Sequence, residues 1–299
     1  MKKSAAKKLK TPKKKKSPAK KIKKIKPEPK QRALKRILSS GEPKPFQVIN
    51  QKGNGMGLII CDHASNRVPH SLKGLGLKKT DLARHIGWDI GSEDIGRYLS
   101  KTLGMTAVIA TYSRLVVDLN RAPSHDEAVI ETSDHTEIPG NTGLSKKARE
   151  QRIKEIFWPH HDQITKQVDR LVKKGQPPLL LSIHSFTPEM DNVKRPWHIS
   201  FLWNQQEKIA KRLISEIRRN HPEVLIGENE PYTLKSDRFT GSTIHRHAEE
   251  RGLPYVFVEF RQDLVDTKEK AIYWADIFIQ ALKPVLGDQA IVQGKKSKT

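Results

Sequence analysis

Three short apolar segments of this 299-residue chain each lead into a histidine or a carboxylate, and this recurrence restricts the fold more than any other feature. They are 56–61, which runs into His63, 179–184, which ends on His184, and 254–259, which ends on Glu259. Runs of this length and composition are typical of buried β-strands. In an open α/β sheet, ligands bind at the carboxyl ends of the strands. The pattern therefore predicts that the three polar side chains meet at one edge of a sheet.

The chain from about residue 46 onward alternates strand-like and helix-like periodicity. The predicted strands are 56–61, 105–110, 179–184, 198–203, 224–226 and 254–259, and the predicted helices are 81–103, 145–174, 207–220, 242–251 and 267–282. Strands that alternate with helices predict a single three-layer α/β domain with a mixed, largely parallel sheet. The polar segment 122–142 is typical of a loop over an active site, and equally of a plain surface connection.

The first 45 residues differ in composition from the rest. They contain 19 Lys and Arg against two Glu, a net charge of +17 out of the formal +23 of the whole chain. So little apolar surface cannot offset the entropy of ordering the segment. We therefore predict a disordered Lys/Pro-rich tail at 1–45, a catalytic domain at 46–286 and a flexible basic end at 287–299. The tail either binds nucleic acid or other polyanions nonspecifically or serves only as a solubilising arm.

Cysteine content and hydropathy bear on location. Cys61 is the only cysteine, which excludes a disulfide within the chain and favours a reducing compartment. No segment approaches the roughly eighteen consecutive apolar residues of a membrane span, and the lysine-rich start lacks the apolar core of a signal peptide. We therefore expect no membrane span and a cytoplasmic protein.

Two histidines and a carboxylate at one sheet edge supply the ligand types of an open catalytic zinc site together with a general base. Any one of them alone is more often a hydrogen-bonded residue at a strand end, so only their coincidence favours a site. The polar cluster 112–121 adds Arg114 and Arg121. A guanidinium can bind a carboxylate through two hydrogen bonds, which predicts an anionic substrate. The alternative is that these arginines form salt bridges with acids such as Asp118.

Several motifs then follow one another over about residues 48–283. They are Cys-Asp-His-Ala-Ser-Asn-Arg-Val-Pro at 61–69, His-Ile-Gly-Trp-Asp-Ile-Gly at 85–91, Ser-Arg-Leu-Val-Val-Asp-Leu-Asn-Arg at 113–121, Asn-Glu-Pro-Tyr at 229–232, His-Ala-Glu-Glu-Arg-Gly-Leu-Pro at 247–254 and Glu-Phe-Arg-Gln-Asp-Leu at 259–264. This ordered set resembles the N-formylglutamate amidohydrolase family, which in turn is similar in fold to the zinc carboxypeptidases. The segments 183–186 and 258–261 are similar to those that carry the third zinc ligand and the catalytic glutamate of the carboxypeptidases. The resemblance implies a zinc-carboxypeptidase-like hydrolase fold.

The resemblance also implies one zinc ion per chain and hydrolysis of a small anionic N-acyl amino acid, such as N-formyl-L-glutamate to L-glutamate and formate. The implied histidine ligands are His63 and His184. The carboxypeptidases have a glutamate ligand three residues after the first histidine, where this chain has Asn66, and a neutral amide is a poor zinc ligand. We therefore predict Asp89 as the third ligand. The alternative is that Asp89 caps a helix or orients a neighbour such as His63.

The remaining roles follow from the same resemblance. Glu259 is the predicted general base and Arg114 the predicted partner of the tetrahedral oxyanion. The predicted substrate-binding residues are Asn120, Arg121, Asn229, Tyr232 and Arg261. For Asn229 and Tyr232, turn chemistry in their loop is an equally good explanation. His161 and His247 lie on predicted helices, where we expect structural or orienting roles.

Two other classes of function fit the sequence. One is a metal-free binding protein whose basic tail associates with nucleic acid. The presence of His63, His184 and Glu259 argues against that class. The other is an amidase or peptidase that acts on another acyl-peptide such as cell-wall peptide, against which the missing signal peptide counts.

Overall fold

The computed structural model of the protein describes residues 35–175 and 177–288. Its β-strands are β1 (Phe46–Ile49), β2 (Gly57–Cys61), β3 (Thr106–Ala110), β4 (Thr132–Ser133), β5 (Thr136–Glu137), β6 (Leu179–Phe186), β7 (Glu189–Met190), β8 (Val193–Lys194), β9 (Ile199–Leu202), β10 (Ile226–Glu228) and β11 (Tyr255–Arg261). Its α-helices are α1 (Lys79–Leu82), α2 (Ser92–Leu103), α3 (Lys146–Arg152), α4 (Trp158–Val172), α5 (Glu207–Asn220), α6 (Thr243–His247) and α7 (Lys268–Gly287). A π-helical turn, Ile153–Phe157, joins α3 to α4.

Seven strands form one mixed sheet in the order β1-β3-β2-β6-β11-β9-β10. The four central strands β3, β2, β6 and β11 are parallel to one another, and β10 is parallel to β9. β1 pairs antiparallel with β3, and β9 antiparallel with β11. The predicted α/β architecture with a mixed, largely parallel sheet is therefore confirmed. Because the central strands point the same way, the segments that follow them converge on one edge.

Helices cover both faces of the sheet, as the alternating burial of β2 illustrates. Leu58 and Ile60 pack with the side chains of α4 and α6, whereas Ile59 and Cys61 pack with those of α2, α5 and α7. All four side chains are fully buried. Burial of an aliphatic side chain of this size stabilises a fold by about 1.5–3 kcal/mol, so both apolar faces need their helices. The three layers follow directly from this pattern.

The predicted helix at 81–103 is divided in the structure. α1 ends at Leu82, and α2 begins only at Ser92, after a turn that contains Gly87, Asp89 and Gly91. Gly91 has φ +81°, and a Cβ there would collide with the carbonyl oxygen of Val265. Glycine is therefore required at the start of α2. The break is what turns Asp89 out of a helix and toward the ends of β2 and β6.

Other element boundaries also differ from prediction. β6 and β11 each continue two residues beyond His184 and Glu259, so these residues lie inside strands instead of ending them. α7 runs past the predicted end at 282 and through Pro284 to Gly287, because Val285 is fully buried in the core and holds the last turn in place. The segment 122–142 contains a 3-10 helix, Asp126–Val129, and the β4–β5 hairpin. Only α5 has the predicted bounds.

The beginning of the folded part also differs from prediction. Residues 35–45, assigned above to the basic tail, contact the domain: Ile37 is buried, and its amide donates to Glu155 Oε2 at 2.9 Å. The Tyr112 hydroxyl donates to the Pro43 carbonyl at 2.8 Å. β1, which no prediction included, then joins the edge of the sheet. The folded domain thus includes residues from Lys35 onward, and the predicted disorder of residues 1–34 and flexibility of 289–299 lie outside the described residues.

None of the helices in the described part of the chain combines the length and apolar character that a bilayer-spanning segment requires.

Candidate active site

A cavity of about 380 Å³ opens where β2, β3, β6 and β11 end. His184 of β6 and Glu259 of β11 are direct register partners in a parallel pair, so their side chains project from the same face of the sheet. His63, two residues after β2, lines the same cavity. The three residues predicted to meet at one sheet edge therefore do so. Segment 122–142 contributes to the wall, as expected for a loop over an active site.

His63, Asp89 and His184 form a compact group of metal-ligand type. Asp89 Oδ2 lies 3.4 Å from His63 Nδ1 and 2.8 Å from His184 Nδ1. Tetrahedral zinc with bonds of about 2.0–2.1 Å places its ligand atoms about 3.3 Å apart. The spacing and the two-histidine, one-carboxylate composition both fit a zinc ion with an open position. Asn66 is not among the residues that line the cavity.

Polar groups behind both histidines hold their rings in this orientation. His63 Nε2 lies 2.8 Å from Asp118 Oδ1, and His184 Nε2 lies 3.1 Å from Ser182 Oγ and 3.8 Å from Asp62 Oδ2. Each Nε2 thus faces an acceptor, and each Nδ1 faces Asp89. A second ring nitrogen held by a carboxylate is the usual arrangement of metal-binding histidines.

The charges of the group favour a bound cation. Burial and Arg114 act to lower the pKa of His63, but Asp118 and Asp89 outweigh them and raise that pKa to about 9. Burial would raise the pKa of Asp89, yet His63 and His184 hold it well below the usual range of a carboxyl. Negative charge that stabilises an added proton also stabilises a divalent metal ion, and the two compete. The negative charge around these side chains therefore favours the binding of a cation between them.

Glu259 is nearly buried beside this group, with 6% of its surface exposed. Burial raises the pKa of Glu259 to about 7, because it outweighs the opposing positive charge of His184, and the negative charge of Asp89 adds a smaller upward contribution. A carboxyl that titrates near neutral pH exchanges a proton readily in either direction. Its environment is thus that of a general acid or base.

Arg114 lines the cavity and is bound to two acids. Its Nε and Nη2 donate to Asp118 Oδ2 at 3.1 and 2.7 Å, and its Nη1 donates to Asp89 Oδ1 at 3.3 Å. The alternative interpretation of Arg114, a salt bridge with Asp118, is therefore confirmed. About a quarter of the Arg114 side chain remains exposed, and that part faces the cavity.

Asn120 and Arg121 also line the cavity, but both are engaged in the protein. Asn120 Oδ1 accepts from the backbone amide of Thr243 at 3.1 Å. Arg121 is 5% exposed and donates from Nε to Glu127 Oε2 at 3.2 Å, the oxygen that also accepts from Arg238. Because Glu127 binds both arginines, Arg121 is less free to bind an anion than the sequence predicts.

The other predicted substrate-binding residues divide into two sets. Tyr232 reaches the cavity wall. Asn229 does not, because its side-chain oxygen accepts from the Trp203 amide at 2.8 Å. Arg261 is also turned away, with its guanidinium bound to Asp263 and to the Pro196 carbonyl.

A second group of buried histidines lies outside the cavity wall. His161 Nε2 donates to the Leu119 carbonyl at 2.9 Å, so its Nδ1 accepts from His247 Nε2 at 2.8 Å. His160 Nε2 lies 3.0 Å from Asp62 Oδ1. The His161 contacts tie α4 and α6 to the segment that carries Asn120, and the His160 contact ties α4 to the residue after β2, as expected for structural histidines.

Three residues of the site were not predicted from the sequence to act in catalysis or binding. Asp118 orients His63, Asp62 stands behind His184, and Arg195 contributes an additional arginine to the cavity wall. Asp62 and Asp118 lie within the motifs at 61–69 and 113–121 and could have been singled out there. Arg195 stands outside every motif, so only the structure reveals it.

Comparisons with known proteins agree with this geometry. A family model described as "FGase: N-formylglutamate amidohydrolase" matches residues 57–265, a segment that contains the histidines, Asp89 and Glu259 of the cavity. Among solved structures, a gene product from Agrobacterium tumefaciens is 29% identical, with a TM-score of 0.77 over 84% of this chain and 99% of that chain. N-formylglutamate amidohydrolase from Ralstonia eutropha JMP134 is 17% identical, with a TM-score of 0.52 over 85% of this chain and 100% of that chain. No curated protein matches.

Proposed function

The chain belongs to the N-formylglutamate amidohydrolase family, hydrolases of amide bonds, and from this premise we propose that it is a zinc-dependent enzyme that cleaves small anionic N-acyl amino acids. N-formyl-L-glutamate, named in the description of the family, is the proposed substrate, and L-glutamate and formate are the proposed products. One observation carries the proposal: a histidine-aspartate-histidine group and a carboxyl with a pKa of about 7 face the same cavity.

His63, Asp89 and His184 are the proposed zinc ligands, through the Nδ1 atoms of the histidines and Oδ2 of Asp89. A zinc ion held by these residues would supply Lewis-acid polarisation of the scissile carbonyl and would make a bound water more acidic. Asp118 keeps Nδ1 of His63 free to act as a ligand by holding its Nε2.

Glu259 is the proposed general base. It removes a proton from the attacking water as the oxygen bonds to the acyl carbon, and then delivers that proton to the amide nitrogen as the carbon–nitrogen bond breaks. The near-neutral pKa suits both transfers, because the carboxylate accepts the proton and the resulting acid gives it up again. A free amino acid and a carboxylate leave the site.

Arg114 and Arg121 bind the negative charges of the reaction in this proposal. Arg114 stabilises the charge that grows on the carbonyl oxygen, with the exposed part of its side chain toward the cavity. Asn120 and Arg121 hold the carboxylate of the amino acid, and Tyr232 closes the wall beside them. Asn229 and Arg261 have no part, since their polar groups are bound elsewhere.

The proposal is tested by hydrolysis of a panel of N-formyl and N-acetyl amino acids, with the released amino acid measured before and after a metal chelator is applied. We expect turnover of the acidic N-formyl substrate, loss of that turnover with the chelator, and recovery when zinc is restored. Turnover that survives complete removal of metal would contradict the zinc dependence. A protein with full zinc that cleaves no member of the panel would contradict the proposed activity.

A further inference from the structure

Four arginines line the cavity, and three of them form ion pairs with acids of the protein. Arg114 is bound to Asp118 and Asp89, and Arg121 and Arg238 share Glu127. The fourth, Arg195, makes no ion pair with any acid among residues 35–175 and 177–288. Arg195 is therefore the one arginine of the cavity wall that no carboxylate of the described residues holds.

The contacts of Arg195 hold its guanidinium without neutralising it. The backbone of Arg195 is fixed directly after β8 by a hydrogen bond from its amide to the Pro188 carbonyl at 2.8 Å. The guanidinium carbon lies 4.9 Å from the centre of the Tyr232 ring, and Nη2 is 3.4 Å from the sulfur of Met190. A ring face and a thioether are weak partners for a cation. These contacts set the direction of the side chain and leave its strongest hydrogen bonds unmade.

One nitrogen of this guanidinium, Nη1, is buried and has no hydrogen-bond partner. A buried donor without an acceptor is unfavourable, more so when it carries charge, and few are left in native proteins. The positive charge of Arg195 also counteracts the effect of burial on the pKa of Glu259, which means that the guanidinium is within electrostatic reach of the proposed base. The Arg195 side chain lines the cavity and is only partly buried, so an anion in the cavity can pair with its guanidinium next to the reacting groups.

We propose that Arg195 binds a carboxylate of the substrate and is a determinant of the selection for acidic acyl amino acids. The inference rests on the proposed function for the identity of the ligand. Arg195 would then be a second carboxylate-binding arginine beside Arg121, and unlike Arg121 it is not already paired with an acid. It lies directly after β8. In a substrate with two carboxylates, this group is either the one on the side chain or the one on the α-carbon. Replacement of the acid by an amide distinguishes the two.

The test measures binding by titration calorimetry to the full-length, zinc-loaded protein that carries Glu259→Gln to suppress turnover. The ligands are N-formyl-L-glutamate and N-formyl-L-glutamine. Arg195→Gln is expected to weaken binding of the glutamate ligand about 10- to 100-fold, the range of a charge-assisted hydrogen bond. If the side-chain carboxylate is the partner, binding of the glutamine ligand stays within about twofold and the preference for glutamate disappears. If the α-carboxylate is the partner, binding of both ligands falls alike.

Two further variants control the test. Arg238→Gln removes an equal charge close to the same tyrosine ring, but from an arginine that is already paired with Glu127, so we expect less than about a threefold effect. Arg195→Lys keeps the charge and loses the planar fork, so a several-fold weakening is expected even if Arg195→Gln fails to fold.

Unchanged binding of both ligands by the Arg195 variants would overturn the inference, and so would an equal loss in Arg238→Gln. Hydrolysis by the wild-type protein is scored separately. A protein that binds through Arg195 but cleaves no amide would retain the inference and refute the proposed function.

Discussion

Two groups of buried histidines in this protein, His63 with His184 and His161 with His247, differ in the charge that faces them. His63 and His184 each face Asp89, and Asp118 raises the pKa of His63 further, to about 9. His161 and His247 face each other and a backbone carbonyl, and burial lowers the pKa of His247 to about 3. Burial is similar in the two groups, so the neighbouring carboxylates make the difference. Only the first group attracts a cation.

The largest expected effect belongs to Glu259, which faces the first group. Glu259→Gln removes the proton acceptor but no proposed ligand, so kcat should fall at least about 100-fold while zinc content stays unchanged. His247→Gln, in the second group, keeps a donor for His161 and should leave kcat within about threefold. Steady-state kinetics and elemental analysis of the two variants make the comparison. Equal activities would remove the basis for separating the groups, and loss of zinc from Glu259→Gln would make Glu259 a ligand.

Conservative replacement of two arginines should give effects of about tenfold, each on a different parameter. Arg121→Lys should raise KM for acidic substrates more than it lowers kcat, because lysine keeps the charge but cannot form two parallel hydrogen bonds. Arg114→Lys should mainly lower kcat, because an oxyanion partner acts in the transition state. Equal changes of KM and kcat in both variants would contradict this division of roles.

The second group should make the free energy of unfolding depend on pH in the acid range. The pKa values of His161 and His247 are lowered on folding, from an ordinary value near 6.5, so the unfolded chain binds more protons between about pH 6.5 and 3. The free energy of unfolding is therefore complete above pH 6.5 and falls as the pH drops below it, by up to about 1.4 kcal/mol per pH unit for each histidine. Denaturant unfolding from pH 7 to 5 should show a shallower fall for His247→Gln. A slope identical to that of the wild type would contradict the neutral buried pair.

Removal of residues 1–34 should have the smallest effect on catalysis. All proposed site residues lie in the described part of the chain, so kcat/KM for a small substrate should stay within about twofold. The deletion takes 16 Lys and Arg and one Glu, a net +15 of the formal +23, so low-salt retention on DNA or RNA should largely disappear. Retention that persists without the segment, or at 200 mM salt, would locate a nucleic-acid surface on the folded domain.

The difference between the two histidine groups could be predicted in part from the sequence. His63 and His184 stood next to apolar strand runs, whereas His161 and His247 stood in helical periodicity, and this difference in period is enough to separate them. The parallel sheet and its edge followed from the same alternation. The position of Asp89 required the break before α2, which Gly87 and Gly91 made foreseeable.

Pairing of charged groups could not be predicted in the same way. Whether Arg121 is neutralised depends on Glu127, and whether Arg195 is free depends on what lies across the cavity from it. Such contacts join residues that are distant in sequence and carry no periodic signal. The order of residues 35–45 was missed for a similar reason, because two apolar residues in a basic segment gave no sign that Ile37 packs on the domain.

Metal content measures the central claim most directly. The wild-type protein, purified and analysed by inductively coupled plasma mass spectrometry, should contain about one zinc ion per chain. His63→Ala and His184→Ala should each lose it, while His247→Ala should retain it, with circular dichroism to verify that all three remain folded. Full zinc in both His63→Ala and His184→Ala would contradict the account.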